Sequence, residues 1–138
     1  MPSSKRRWML IVEDNPDDER LATRTFQRMN RQERWEIARD GEEALQMLAN
    51  SEKPALVLLD LKLPRLSGFE VLTAMRDDVR WRTVPVVVLT SSDEKTDLAA
   101  CYELGCNAFV RKPVDYEDYT RDLQTTLDFW LNVNLTLE

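Results

Sequence analysis

Residues 55–64 read Ala55-Leu56-Val57-Leu58-Leu59-Asp60-Leu61-Lys62-Leu63-Pro64, and this stretch decides the fold. Ala55 to Leu59 is the most apolar run in the chain. It shows no polar alternation, so it reads as a strand covered on both faces, at the centre of a parallel sheet. A carboxylate, Asp60, follows directly, and Lys62-Leu63-Pro64-Arg65-Leu66 continues as a loop. Ser67-Gly68-Phe69-Glu70 then has the spacing of a capping box, which predicts a helix with Val71, Leu72 and Met75 turned inward.

The same strand-then-helix unit recurs on either side. Upstream, Trp8 to Val12 is a buried strand, and Asn15-Pro16 supplies a cap with proline at the first helical position. Asp17, Asp18 and Glu19 suit that helix's first turn, and Ala22, Phe26 and Met29 form its apolar face. Trp35 to Ala38 is a short strand, after which Asp40 caps a helix with Ala44, Leu45 and Leu48 inward. Downstream, Val84 to Leu89 is a buried strand, with Pro85 at its start, where a missing N–H is tolerated. Ser91 and Glu94 repeat the capping-box spacing, and that helix runs to Gly105, a C-terminal glycine. Asn107 to Val110 is a fifth strand. Asp115 caps a last helix with the stripe Tyr116, Tyr119, Leu123, Leu127, Trp130. Val133 to Leu137 alternates with period two, as an extended arm would.

The strand–helix pair thus occurs five times, which predicts an α/β fold built on one doubly wound parallel sheet with right-handed crossovers. One domain is expected over residues 1–138, with a core from about 8 to 131 and a tail, 132–138, as a dimerisation arm.

The totals narrow the function. The net charge of −6 disfavours nucleic acid and anionic membrane as partners. No apolar run approaches the roughly 20 residues of a membrane span. Lys5, Arg6 and Arg7 precede no long apolar segment, so they read as solvating the start of the first strand, and the chain reads as cytoplasmic. Cys101 and Cys106 lack the partners of a zinc site and read as reduced structural thiols. The chain has no histidine, which removes His-based acid–base chemistry and His metal sites. Trp81, in a charged loop, reads as a lid on a hydrophobic edge.

Ligands in open parallel sheets bind beyond the carboxyl ends of the strands, where strand order reverses. Glu13 and Asp14 follow the first strand, Asp60 the third, Thr90 and Ser91 the fourth, and Lys112-Pro113 the fifth. Clustered carboxylates repel unless a hard cation neutralises them, and Mg²⁺ accepts oxygen ligands of this kind. A carboxylate beside such a cation can attack phosphorus, while a hydroxyl and an ammonium stabilise the phosphoryl oxygens.

In these residues the chain resembles the response-regulator receiver family. The match lies in Glu13-Asp14, Leu58 to Pro64 with Asp60 as acceptor, Gly68, Leu89-Thr90 and Lys112-Pro113, and it covers roughly Trp8 to Leu131. The resemblance implies a flavodoxin-like strand order, 2-1-3-4-5, with five helices. It implies that Asp60 is phosphorylated by a sensor histidine kinase. Asp14, Asp60 and the Lys62 backbone carbonyl would hold Mg²⁺, for which Mn²⁺ can substitute, with Glu13 acting largely through water. Thr90 and Lys112 would bind the phosphoryl group. Thr90 would also act with Phe109 as a switch, although many members carry tyrosine at the latter position. Asp128-Phe129-Trp130-Leu131 and the apolar tail resemble the single-domain regulators of bacterial phytochrome kinases. That subgroup implies homodimers through Leu127, Phe129, Trp130 and Leu131, and an output through protein contacts or a histidine phosphotransfer protein.

Two other classes fit less well. A haloacid-dehalogenase-like phosphatase also uses a strand-end aspartate, but needs a second aspartate where Lys62 stands. A flavin carrier or other pure binding module would want a glycine-rich phosphate loop, and the chain has three glycines in all, with no G-x-G-x-x-G.

Overall fold

Strands alternate their side chains between two faces, so a sheet buried on both sides needs apolar residues at every position. β1 (Trp8–Val12), β3 (Leu56–Leu59) and β4 (Val86–Thr90) meet that demand and are buried throughout. The computed structural model, which describes residues 7–135, pairs them with β2 (Arg34–Ala38) and β5 (Ala108–Arg111). All pairings are parallel, in the order β2-β1-β3-β4-β5. β2 and β5, the edges, are the less buried strands, and each carries charged residues that discourage edge pairing.

Alternation also fixes which helices lie where. Met9, Ile11, Leu56 and Leu58 face α1 (Pro16–Met29) and α5 (Tyr116–Asp128), through Phe26, Tyr119, Leu123 and Leu127. Leu10, Val12, Val57 and Leu59 face α2 (Gly41–Ala49), α3 (Gly68–Asp77) and α4 (Lys95–Leu104), through Leu48, Leu72, Met75 and Cys101. The chain leaves β1 for β2 on one side and returns to place β3 on the other. The order therefore reverses between β1 and β3.

The helix starts follow the cap chemistry. Asn15 Oδ1 accepts from the Asp17 and Asp18 amides, and Ser67 and Glu70 form a complete capping box. Arg76 of α3 clamps the far end of the sheet. It donates to the carbonyls of Val84 (2.9 Å) and Gly105 (2.8 Å) and to Asn107 Oδ1 (2.9 Å). Trp81 is buried, as a lid should be, with the Arg80 guanidinium 4.3 Å over its ring.

Four expectations need correction. Ser91 does not cap α4; Ser92 does the local bonding, accepting from the Glu94 amide and donating to Asp97 Oδ2 at 2.6 Å. Tyr116 is 69% exposed, and the inward stripe of α5 is Tyr119, Leu123, Leu127 and then Leu131. Each step is four residues, longer than the 3.6 of an α-helix. Just where that mismatch accumulates, Phe129–Val133 forms a single π-helical turn, closed by Asn134 N–H donating to the Phe129 carbonyl. Val133 thus belongs to that turn rather than to an extended arm. Lastly, Leu127 and Leu131 are core residues, so of the four expected at a dimer interface only Phe129 and Trp130 reach the surface. Lys5, Arg6 and the end of the tail, 136–138, lie outside the described residues.

Candidate phosphoacceptor and metal site

The register of the sheet assembles the site. Val12 lies opposite Leu59, so the residues that follow, Glu13 and Asp60, emerge side by side. Backbone bonds hold both: Glu13 N–H donates to the Ala38 carbonyl (2.9 Å) and Asp60 N–H to the Val12 carbonyl (3.1 Å). Asp60 Oδ1 accepts from the Leu61 amide at 2.7 Å, which leaves its Oδ2 facing inward across the rim. Gly68 packs against this turn so closely that its amide donates to the Leu61 carbonyl at 2.9 Å. On the other side, Lys112 N–H donates to the Thr90 carbonyl (2.7 Å), which fixes the lysine just past the end of β5.

From that position Lys112 reaches back across the sheet. Its Nζ donates to Glu13 Oε1 (2.6 Å), Asp18 Oδ2 (2.8 Å) and Asp60 Oδ2 (3.2 Å). An ammonium has three donors, and here each meets a carboxylate. Burial works against the charged lysine, but Glu13, Asp60 and Asp18 outweigh it, and its pKa is raised. The Glu13 carboxyl is raised to about 7: burial drives the rise and the Asp60 charge adds to it, against the opposing pull of the Lys112 charge and hydrogen bond. Tyr119 lies beneath the cluster, where burial raises its phenol and keeps it neutral.

Oxygens of Glu13, Asp14 and Asp60 lie within 4.8 Å of one another. Asp14 is exposed and makes no hydrogen bond or ion pair among the described residues. This donor set fits a hard divalent cation: three carboxylates, one of them uncommitted, with one ammonium to offset them. Thr90 is fully buried at the end of β4, and its Oγ1 accepts from the Ser92 amide at 3.3 Å. Phe109 lies opposite Val88 in β5 and is half-buried against the core. Lys62 sits in the exposed loop after Asp60.

Sequence reasoning missed Asp18. A first-turn acid has a ready explanation in the helix dipole, which hid a second role. One signal could have found it. Asn15 caps α1 immediately after β1, so the helix's first turn stands over the same rim as Glu13 and Asp14.

Residues 9–124 match the family described as response regulator receiver domain. The chain belongs to this family. Among curated relatives it is 39% identical to the probable methanogenesis regulatory protein FilR2 of Methanothrix harundinacea, over 91% of this chain and 84% of that one. It is 35% identical to the response regulator Rcp1 of Synechocystis, over 94% and 92% of the two chains. The crystal structure of Mn²⁺-bound Rcp1 superposes with a TM-score of 0.90, covering 96% of this chain and 99% of that one at 33% identity. That of the phosphorylated cyanobacterial phytochrome response regulator RcpA gives 0.92, covering 97% and 100% at 30% identity.

Proposed function

We propose that this chain is a phosphorylation-dependent signalling switch that takes a phosphoryl group onto Asp60 from the phosphohistidine of a sensor kinase. The observation that carries the reading is the Lys112 ammonium bound to Asp60 and Glu13, with Asp14 exposed beside them at the carboxyl rim of the sheet. Glu13, Asp14, Asp60 and the Lys62 carbonyl would hold Mg²⁺, or Mn²⁺ in its place, and the cation would neutralise charge on the phosphoryl oxygens. Asp60 Oδ2 forms the new bond to phosphorus. The P–N bond breaks, and its electron pair returns to an imidazole that leaves neutral when its other nitrogen carries a proton. Lys112 and Thr90 then bind the phosphoryl oxygens, which add about −1.5 to −2 of charge.

Thr90 and Phe109 transmit the change to the face formed by α4, β5 and α5. Phe109 has no hydroxyl, so its part is steric, filling or vacating space beside Thr90. Phe129 and Trp130, with Leu135, offer apolar surface to a second copy of the chain. The single domain over residues 1–138 signals in the cytoplasm through protein contacts, or passes the phosphoryl group to a histidine phosphotransfer protein. The likeness to RcpA favours a phytochrome-type kinase as donor.

Phosphoramidate with Mg²⁺ tests the reaction without a known kinase. Acid-labile phosphate should appear on the wild-type chain and vanish in Asp60→Asn. Asp14→Asn should need much more Mg²⁺ for the same rate. Undiminished labelling of Asp60→Asn overturns the reading.

A further inference from the structure

The three carboxylates on Lys112 are not equivalent. Glu13 and Asp60 stand at strand ends, with side chains 5% and 11% exposed, whereas Asp18 belongs to the first turn of α1 and is 24% exposed. Its backbone is pinned, since Asn15 Oδ1 accepts from the Asp18 amide at 3.2 Å. The Asp18 carboxylate is therefore a fixed, partly solvated anchor on the outer side of the ammonium.

A phosphoryl group on Asp60 changes what Lys112 must do. The carboxylate becomes an uncharged acyl oxygen, and the negative charge moves outward to the phosphoryl oxygens. The donor that met Asp60 Oδ2 turns to the new anion, and Lys112 brings a second donor to it only by loosening its bond to Glu13 or to Asp18. Glu13 is buried, where water cannot take the place of the ammonium, so its bond is the costlier of the two to part. Asp18 is open to water, which can solvate it once it is released. The Asp18 pair is accordingly the one that yields.

We propose that Asp18 is a positioning residue that holds Lys112 in the unphosphorylated chain and releases it to the phosphoryl group. This rests on Asp60 being the acceptor, and it deepens that reading by assigning a restraint that sets how readily the acceptor fires. Removing the Asp18 charge leaves Lys112 more strongly directed at Asp60 and at the incoming group. A partly exposed ion pair is worth a factor of roughly two to five, which sets the size of the effect.

Asp17 supplies the control. It is adjacent in sequence, carries the same charge, and pairs with Arg20 rather than Lys112. Asp18→Asn, Asp18→Glu and Asp17→Asn are compared with wild type for the rate of Asp60 phosphorylation by phosphoramidate in Mg²⁺. In this reaction the Asp60 oxygen bonds to phosphorus and the P–N bond of the N-protonated donor breaks, releasing ammonia. Asp18→Asn should raise the rate about two- to fivefold and lengthen the phosphoryl lifetime by a similar factor. Asp17→Asn should change either by less than half as much, and Asp18→Glu should restore wild-type behaviour. An Asp18→Asn rate no higher than that of Asp17→Asn overturns the proposal.

A second measurement needs no phosphorylation. The Lys112 ammonium signal in a ¹⁵N spectrum, assigned by its loss in Lys112→Arg, should exchange slowly with water in wild type and several-fold faster in Asp18→Asn. Equal exchange also overturns the proposal. A wild-type chain that takes no phosphate would refute the functional reading instead, and the ammonium exchange would then decide the restraint alone.

Discussion

Adding one methyl group at Gly68 should damage both the stability of the chain and the reactivity of Asp60. An alanine Cβ there would lie 2.2 Å from the Asp60 carbonyl oxygen, 2.7 Å from Leu61 Cα and 3.0 Å from the Asp60 carbonyl carbon. All three are backbone atoms, so no rotamer change relieves the clash. Ordinary contact begins at 3.4 Å, which leaves a shortfall of 1.2 Å between the start of α3 and the end of β3. Separating them strains the Gly68–Leu61 hydrogen bond and the capping box beside it. Overpacking of this kind costs about 1–3 kcal/mol, and for a domain this size that lowers Tm by roughly 4–12 °C. The peptide that moves also carries the Leu61 amide that orients Asp60 Oδ1. Misplacing a reacting group by about 1 Å can cost on the order of 100-fold in rate.

The assay is thermal unfolding by circular dichroism, run alongside phosphoramidate labelling of Gly68→Ala. Gly41→Ala is the comparison: its Cβ would lie 2.3 Å from the Leu66 carbonyl oxygen, away from the Asp60 peptide. It should lose stability while keeping most of its labelling per folded molecule. A Gly68→Ala chain with wild-type Tm and wild-type labelling would refute the close-approach argument.

Arg76→Lys keeps the charge but cannot fork between the Val84, Gly105 and Asn107 acceptors. It should lose about 1.5–3 kcal/mol, read from the urea midpoint. Burial alone would raise Glu33, yet the hydrogen bond and charge of Arg31, with Arg7 behind, hold it below its ordinary 4.5. A lowered folded-state pKa means stability that is present above 4.5 and lost as pH falls through the lower value, so Glu33→Gln should flatten the acid limb of a Tm–pH profile. Burial pushes the Cys101 thiol up to about 11 and raises Cys106 as well. Neither should react with a thiol probe at pH 8 until the chain unfolds, and prompt labelling of the native protein would contradict the burial.

Much of this architecture is legible in the chain because its signals are local. Leu56–Leu59 is apolar without alternation, Asn15-Pro16 starts a helix, and Ser67 with Glu70 starts another; each needs only neighbours in sequence. Glu13, Asp60 and Lys112 are readable for a related reason, since a polar residue directly after a buried strand must sit on the sheet's rim. The order of the strands is long-range and came from family resemblance rather than from pattern. Ser91 and Ser92 are chemically identical candidates, and only the path of the loop decides which one meets Asp97. The π-turn at Phe129–Val133 has no sequence signature, so ordinary helical spacing ends the stripe of α5 on Trp130 where the structure buries Leu131. Asp18 eluded the reading because its bond to Lys112 spans 94 positions.

That separation also bears on how the chain is made. Lys112 stands at the end of the last strand added to the sheet, and it bonds to Glu13 across 99 positions. During synthesis, Glu13 and Asp60 leave the ribosome well before their counter-ion. The nascent molecule can hold its acids and its acceptor yet lack the cation that completes them. Contacts this distant in sequence form late, after the loop-closure entropy of the intervening chain has been met. Under the proposed function, the pocket that would receive the phosphoryl group is complete only once the last strand has joined the sheet.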